Sequence, residues 1–236
     1  VRRRYIEIRP DTKIVNLGGR PPKIVLSLLV AQVGLFLIYA FADGPPWVAE
    51  HLAASADRSL LHLQLYQPLT ALVIHLGTRG LLFNALSLWI FGSALERYWG
   101  PWRFLLFFVV TGAVGLLVGV FFGLLKPQVA LYGSGGATLA MTLAVALIFP
   151  AHMIFFFGLL PIKARLFGLV LAGFLLLGNL LGSHFLEAAV EAGGALCALP
   201  FVFPPNQLLG RLRVRRAKRK LKVVEGGKRD DKRYLN

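Results

Sequence analysis

From Ile24 to Ala42 the chain runs for about 19 residues without a charged side chain. An α-helix rises about 1.5 Å per residue, so about 20 apolar residues cross the hydrocarbon of a bilayer. Further apolar blocks follow along the chain. They are unbroken runs, not strictly alternating ones, and in lipid a lone apolar run satisfies its own backbone only as a helix. With 56% hydrophobic residues and a mean hydropathy of +0.66, a soluble domain of 236 residues is excluded. The fold class is therefore all-α, a multi-pass membrane protein.

The breakers divide the chain. Residues 1–23 are polar and basic, with Gly18-Gly19 and Pro21-Pro22, and read as a cytoplasmic lead-in. Ile24 to Ala42 is the first span, ended by Asp43-Gly44-Pro45-Pro46. It lacks a small-x-small cleavage site, so it is expected to stay as an anchor. Residues 47–74 mix Trp47, Leu52, Leu60, Leu61, Leu63 and Leu65 with charged groups and are expected to form an amphipathic interfacial loop. The second span is expected over about Gly80–Ala94, before the basic aromatic turn Glu96–Arg103. The third runs from Phe104 to Leu125, where Gly112, Gly115, Gly119 and Gly123 permit close helix contact. The fourth starts at a glycine turn and stops near Phe149-Pro150. A connector covers His152 to Arg165. The fifth and sixth span about Leu166–Leu181 and Phe185–Phe203.

The net charge of +15 is carried mainly at the two ends. Arg2, Arg3, Arg4, Arg9, Lys13, Arg20 and Lys23 precede the first span, and the basic tail from Arg211 to Arg233 follows the last. That placement fits cytoplasmic flanks and anionic headgroups and argues against a nucleic-acid partner. With both ends inside, Arg97, Arg103, Lys163 and Arg165 also fall inside, leaving Arg58, Arg79 and Lys126 outside. The expected organisation is a lead-in (1–23), a membrane domain (24–204) and a tail (205–236). The expected setting is a bacterial-type plasma membrane. Cys197 is the single cysteine, so it offers neither a disulfide nor a cysteine cluster and reads as a small buried apolar residue.

Chemistry concentrates at Leu131-Tyr132-Gly133-Ser134-Gly135-Gly136-Ala137. Glycines let the backbone approach a neighbour closely, and the bare N–H groups of a first helical turn accept an anion or oxyanion. Ionisable or polar groups within or beside apolar blocks are His75, Asn84, Glu96, His184, Glu187 and Glu191. Glu96, next to Arg97, reads as a paired interfacial charge. His184, Glu187 and Glu191 share one helical stripe. They read either as a metal site or proton relay, or as two headgroup-zone residues with Glu191 alone buried.

Several stretches in this order resemble the rhomboid superfamily of intramembrane serine proteases. Tyr66-Gln67-Pro68-Leu69-Thr70, His75 and Leu81-Leu82-Phe83-Asn84 are similar to its aromatic-Arg-x-x-Thr, His and His-Leu-x-x-Asn signature. Gly92 and Glu96 are similar to its Gly-x-x-x-Glu helix end. Trp99-Gly100 with Arg103-Phe104 resembles its Leu-Gly-x-x-x-Phe turn. Gly133-x-x-Gly136 followed by Ala140 resembles its Gly-x-Ser-Gly helix start, and Glu191-Ala192-Gly193-Gly194 its His-x-x-Gly motif. The resemblance covers about residues 20–205. It implies a six-transmembrane-helix bundle with a water-filled pocket and a lateral gate beside the second and fifth spans.

It also implies a dyad that is missing here. The family's nucleophile position is Gly135, its general-base position is Glu191, and the histidine of its oxyanion pair falls on Gly80, leaving Asn84. Serine hydrolysis needs a hydroxyl and a base within hydrogen-bond reach. Ser134 stands one residue early, turned by about 100° around a helix. The expected function is that of a pseudoprotease, which holds transmembrane segments of other membrane proteins without cutting them. Asn84, His75, Gly80, Gly133, Gly136 and Glu191 would line the pocket, with no cofactor and no metal. An active serine endopeptidase using Ser134 is the alternative, and an ion- or proton-linked membrane protein built on the Glu191 stripe the second.

Overall fold

The computed structural model of the protein describes residues 20–203 apart from 43, 45, 157–159 and 183, with backbone alone at 154–156, 160, 161 and 180. The lead-in up to residue 19 and the tail from residue 204 lie outside the described residues, and with them most of the expected basic flanks.

The protein is a helical membrane bundle. Helix α1 (Lys23–Phe41) is followed by α2 (Pro46–Leu52), α3 (Gln67–Ala71), α4 (Thr78–Ser87) and α5 (Ser93–Trp99). Then come α6 (Pro101–Phe122), α7 (Gly135–Ile148), α8 (Ala164–Leu181) and α9 (Phe185–Val202). A π-helical turn at Leu88–Gly92 joins α4 to α5, so the second span reaches Trp99, further than expected. Lys23–Phe41, Pro101–Leu125 and Phe185–Val202 are long and apolar enough to cross a bilayer unaided.

Two connections differ from expectation. Residues 47–74 are not a loop: α2, α3 and a π-helical turn at Asp57–Leu61 order them. Their polar groups meet internally, since Ser59 Oγ donates to Gln67 Oε1 at 2.8 Å and Thr70 Oγ1 to the Leu52 carbonyl at 2.8 Å. The connector after α7 holds a hairpin, β1 (Met153–Phe156) antiparallel to β2 (Leu160–Lys163), with Met153 opposite Lys163. Alternation gave no warning, because the stretch is apolar at nearly every position.

Helix α6 carries the core. Gly100 (φ +85°) ends α5, and Pro101 opens α6 where its missing N–H costs nothing. Phe104, Phe107, Phe108 and Leu116 are fully buried along it. Its glycines leave room for neighbouring elements: Gly112 faces Leu72, Gly119 faces Val190, and Gly115 faces the backbone of Val190, Gly136 and Gly194. Helix α7 is buried on nearly every side and runs between α6, α8 and α9. On α8, Ala164, Gly168 and Ala172 make a small-residue stripe, and a Cβ on Gly168 would meet the Ala146 Cβ at 2.6 Å. The opposite face of α8 exposes Val170, Phe174, Leu177 and Leu181.

Glu96 does not follow its neighbour in sequence. Its carboxylate reaches α1 and accepts hydrogen bonds from the Ile24 and Val25 N–H groups at 3.1 and 2.8 Å. Those are orphan donors of a helix N-terminus, where negative charge is favoured. The Arg97 guanidinium donates to the Arg20 carbonyl instead. Cys197 is only partly buried.

Candidate functional site

With 14 residues, α7 is about 21 Å long, shorter than the hydrocarbon of about 30 Å. The helix cannot cross it alone, so at least one of its ends meets non-helical chain within the hydrocarbon. Non-helical backbone at that depth must be buried in protein or line a wet cavity. The approach to the amino end is pinned. Leu131 and Ala54 exchange backbone hydrogen bonds of 2.7 and 2.8 Å, and the Gly133 N–H donates to the Ala71 carbonyl at 2.8 Å.

The four residues of the turn face four different neighbours. Gly133 sits at φ +89°, and a Cβ there would lie 3.4 Å from both Asn84 Nδ2 and His75 Nε2. Ser134 is fully buried at the N-cap, where its Oγ accepts from Gln32 Nε2 of α1 at 3.3 Å. A Cβ on Gly135 would lie 3.8 Å from Glu191 Cγ, an ordinary van der Waals distance. Gly136 packs on backbone, with a Cβ 2.9 Å from the Val190 carbonyl oxygen and 3.4 Å from Gly115 Cα.

On the Gly133 side, the Thr138 hydroxyl donates to Asn84 Oδ1 at 3.0 Å, and Asn84 Nδ2 donates to His75 Nε2 at 2.9 Å. An imidazole nitrogen that accepts is unprotonated, so this chain fixes the His75 proton on Nδ1. His75 is 2% exposed, and burial pushes its pKa from 6.5 down to about 4, against a smaller upward pull from the Val73 backbone. It is a neutral group that orients Asn84.

On the Gly135 side, Glu191 is 8% exposed, and its Oε2 has no hydrogen-bond partner. The Asn179 side chain of α8 is its polar neighbour. The stripe it shares splits by depth. His184 Nδ1 and Glu187 form an exposed pair at 3.4 Å, and Glu191 alone is buried. Among the described residues, no three His, Cys, Asp or Glu side chains come together as a metal site.

His75, Asn84 and Gly133 thus meet, as do Gly135 and Glu191. Gly80 does not join either group: it is exposed, and a Cβ there would meet nothing within 4 Å. Gly136 serves helix contact. Gln32 and Thr138 escaped the sequence reading, although a lone amide in an apolar span was a usable signal for Gln32.

The Rhomboid domain family profile matches residues 62–201, more than half of the chain. The chain belongs to the rhomboid family. Among similar proteins, Rhomboid protease GluP of Bacillus subtilis is 29% identical over 143 residues, covering 58% of this chain and 28% of that protein. RHOMBOID-like protein 12, mitochondrial, of Arabidopsis thaliana is 23% identical over 191 residues, covering 74% of this chain and 56% of that one. Putative rhomboid protease YdcA of Bacillus subtilis is 27% identical over 92 residues, covering 39% and 46%. The chain spans from about a quarter to just over half the length of these relatives. As a rhomboid, it is an integral membrane protein.

Proposed function

We propose that this rhomboid binds transmembrane segments of client proteins without cleaving them. One observation carries the reading: Gly135, the turn residue that faces Glu191, has no side chain. Acyl transfer needs an oxygen to attack and a base to take its proton. Here the position opposite the α9 acid is bare, and the nearby hydroxyl, Ser134, is engaged with α1. Removing both members of a working dyad typically costs a factor of about a million in rate. The scaffold around the turn is intact, so a grip on a membrane segment can outlast the chemistry. The basic residues Arg97, Arg103, Lys163 and Arg165, set against Arg58, Arg79 and Lys126, support cytoplasmic termini in a bacterial-type plasma membrane. The lipid itself is then the second partner.

The test uses the full chain in vesicles with a helix-destabilised transmembrane substrate and a serine-directed fluorophosphonate. The natural chain should neither cleave nor be labelled. A variant with Gly135→Ser and Glu191→His should become labelled, because the free space at Gly135 admits a hydroxymethyl group. Cleavage by the natural chain that Ser134→Ala abolishes would establish the second reading, an active endopeptidase. That reading draws on the place of Ser134 at the α7 N-cap, among the bare N–H groups of the first turn.

A further inference from the structure

Three buried polar atoms around the turn have no hydrogen-bond partner, Gln32 Oε1, His75 Nδ1 and Glu191 Oε2, and only the last belongs to an acid, on a residue 8% exposed. Leaving a charged oxygen at membrane depth without a partner costs several kcal/mol or more. Among the described residues, no Lys or Arg forms an ion pair with it. Ion pairs among the described residues join Glu50 to Arg58, Asp57 to His62 and Glu187 to His184. Helices α7 and α9, and α8 beyond Arg165, contain no Lys or Arg. His75, the buried imidazole of the site, is neutral and bonded to Asn84. Asn179 offers an amide, which can hydrogen-bond the carboxyl but cannot balance its charge.

We infer that Glu191, facing the bare Gly135 position, receives a basic side chain carried by the client's transmembrane segment. The inference rests on the client-binding reading and adds which clients are chosen. A Lys or Arg within a membrane span is as costly in lipid as an unpaired Glu191. Joining them removes both costs at once, whereas an amide would fill the hydrogen bond and leave the charge. Gly135 presents no side chain to Glu191. A serine there would place a side chain in ordinary contact with Glu191. Glu187 lies one turn nearer the membrane surface on the same stripe and adds negative potential along the route in. Glu191 stands about 9 Å along α9 from Phe185, so the client's basic residue belongs near that depth.

The experiment uses the full chain in phosphatidylcholine vesicles. Neutral lipid removes competing headgroup charge. Four fluorescent Leu/Ala peptides of about 20 residues carry Lys, Arg, Gln or Leu about 9 Å from the outer end. Affinity is read by energy transfer. Lys and Arg peptides should bind at least about tenfold more tightly than Gln and Leu peptides. Glu191→Gln should bring the Lys peptide to the affinity of the Leu peptide and leave the Leu peptide unchanged. Equal binding of all four by the natural chain overturns the inference while client binding stands. Binding of none overturns both. Because the four-peptide series runs on the unsubstituted chain, the outcome does not depend on whether Glu191→Gln folds.

Discussion

The two flanks of the α7 turn obey different rules. On one, Thr138, Asn84 and His75 form a continuous hydrogen-bonded line behind Gly133. On the other, Gly135 faces a carboxyl with an oxygen left over. The first flank stands behind Gly133, in a loop whose backbone is held by Ala54 and Ala71. Each flank keeps one buried atom without a partner, His75 Nδ1 on the first and Glu191 Oε2 on the second, but only the second is an acid facing a bare glycine.

Four measurements sharpen or break that contrast, taken from the largest effect downward. Gly194→Leu places a side chain into the backbone of Gly136, with no flexible group to yield. It should cost more than about 3 kcal/mol or prevent folding, read by thermal unfolding in detergent. A fully folded variant would mean that α7 and α9 are not in backbone contact.

Acidification acts through His75. The unfolded chain takes up a proton near pH 6.5, while the native imidazole resists until about pH 4. Between those values the unfolded state binds more protons at this residue, so the His75 contribution, read as the difference between the natural chain and His75→Gln, lowers stability as the pH drops through that window and levels off below it. The loss is on the order of 3 kcal/mol. It should vanish in His75→Gln, and a wild-type slope in that variant would assign the titration elsewhere.

Asn84→Ala removes the link between Thr138 and His75, leaving both without their partner. A cost of about 1–3 kcal/mol is expected in the same unfolding assay. Gly135→Ala, on the opposite flank, should change stability by no more than about 0.5 kcal/mol, because its Cβ meets Glu191 Cγ at 3.8 Å. If Gly135→Ala proved as damaging as Asn84→Ala, the two flanks would not differ and the contrast would fall.

Much of the architecture was legible in one dimension. The bilayer demands long apolar runs and internal backbone bonding, so the runs ending at Asp43-Gly44-Pro45, Lys126-Pro127 and Phe149-Pro150 announce spans. The stretch 47–74 was misread because its helices are short and held by contacts such as Ser59 with Gln67, not by periodicity. The hairpin at Met153–Lys163 was invisible because its residues do not alternate. At the site, Gly135 and Glu191 could be singled out from the motifs, but nothing local told that Gly80 would lie apart in open space.

The amino-acid sequence by itself determined that this chain lives in a membrane as packed helices and that no hydroxyl stands at Gly135. Those are properties of composition and position. Only the tertiary structure decided that Ser134 turns to Gln32, 102 residues away, and that Glu96 caps α1 at Ile24 and Val25, 72 and 71 residues away. It also decided that Glu191 meets a bare glycine with one oxygen to spare. Hydrogen bonds and burial depend on which surfaces meet in space, and a linear pattern does not encode which distant partner a polar atom will find.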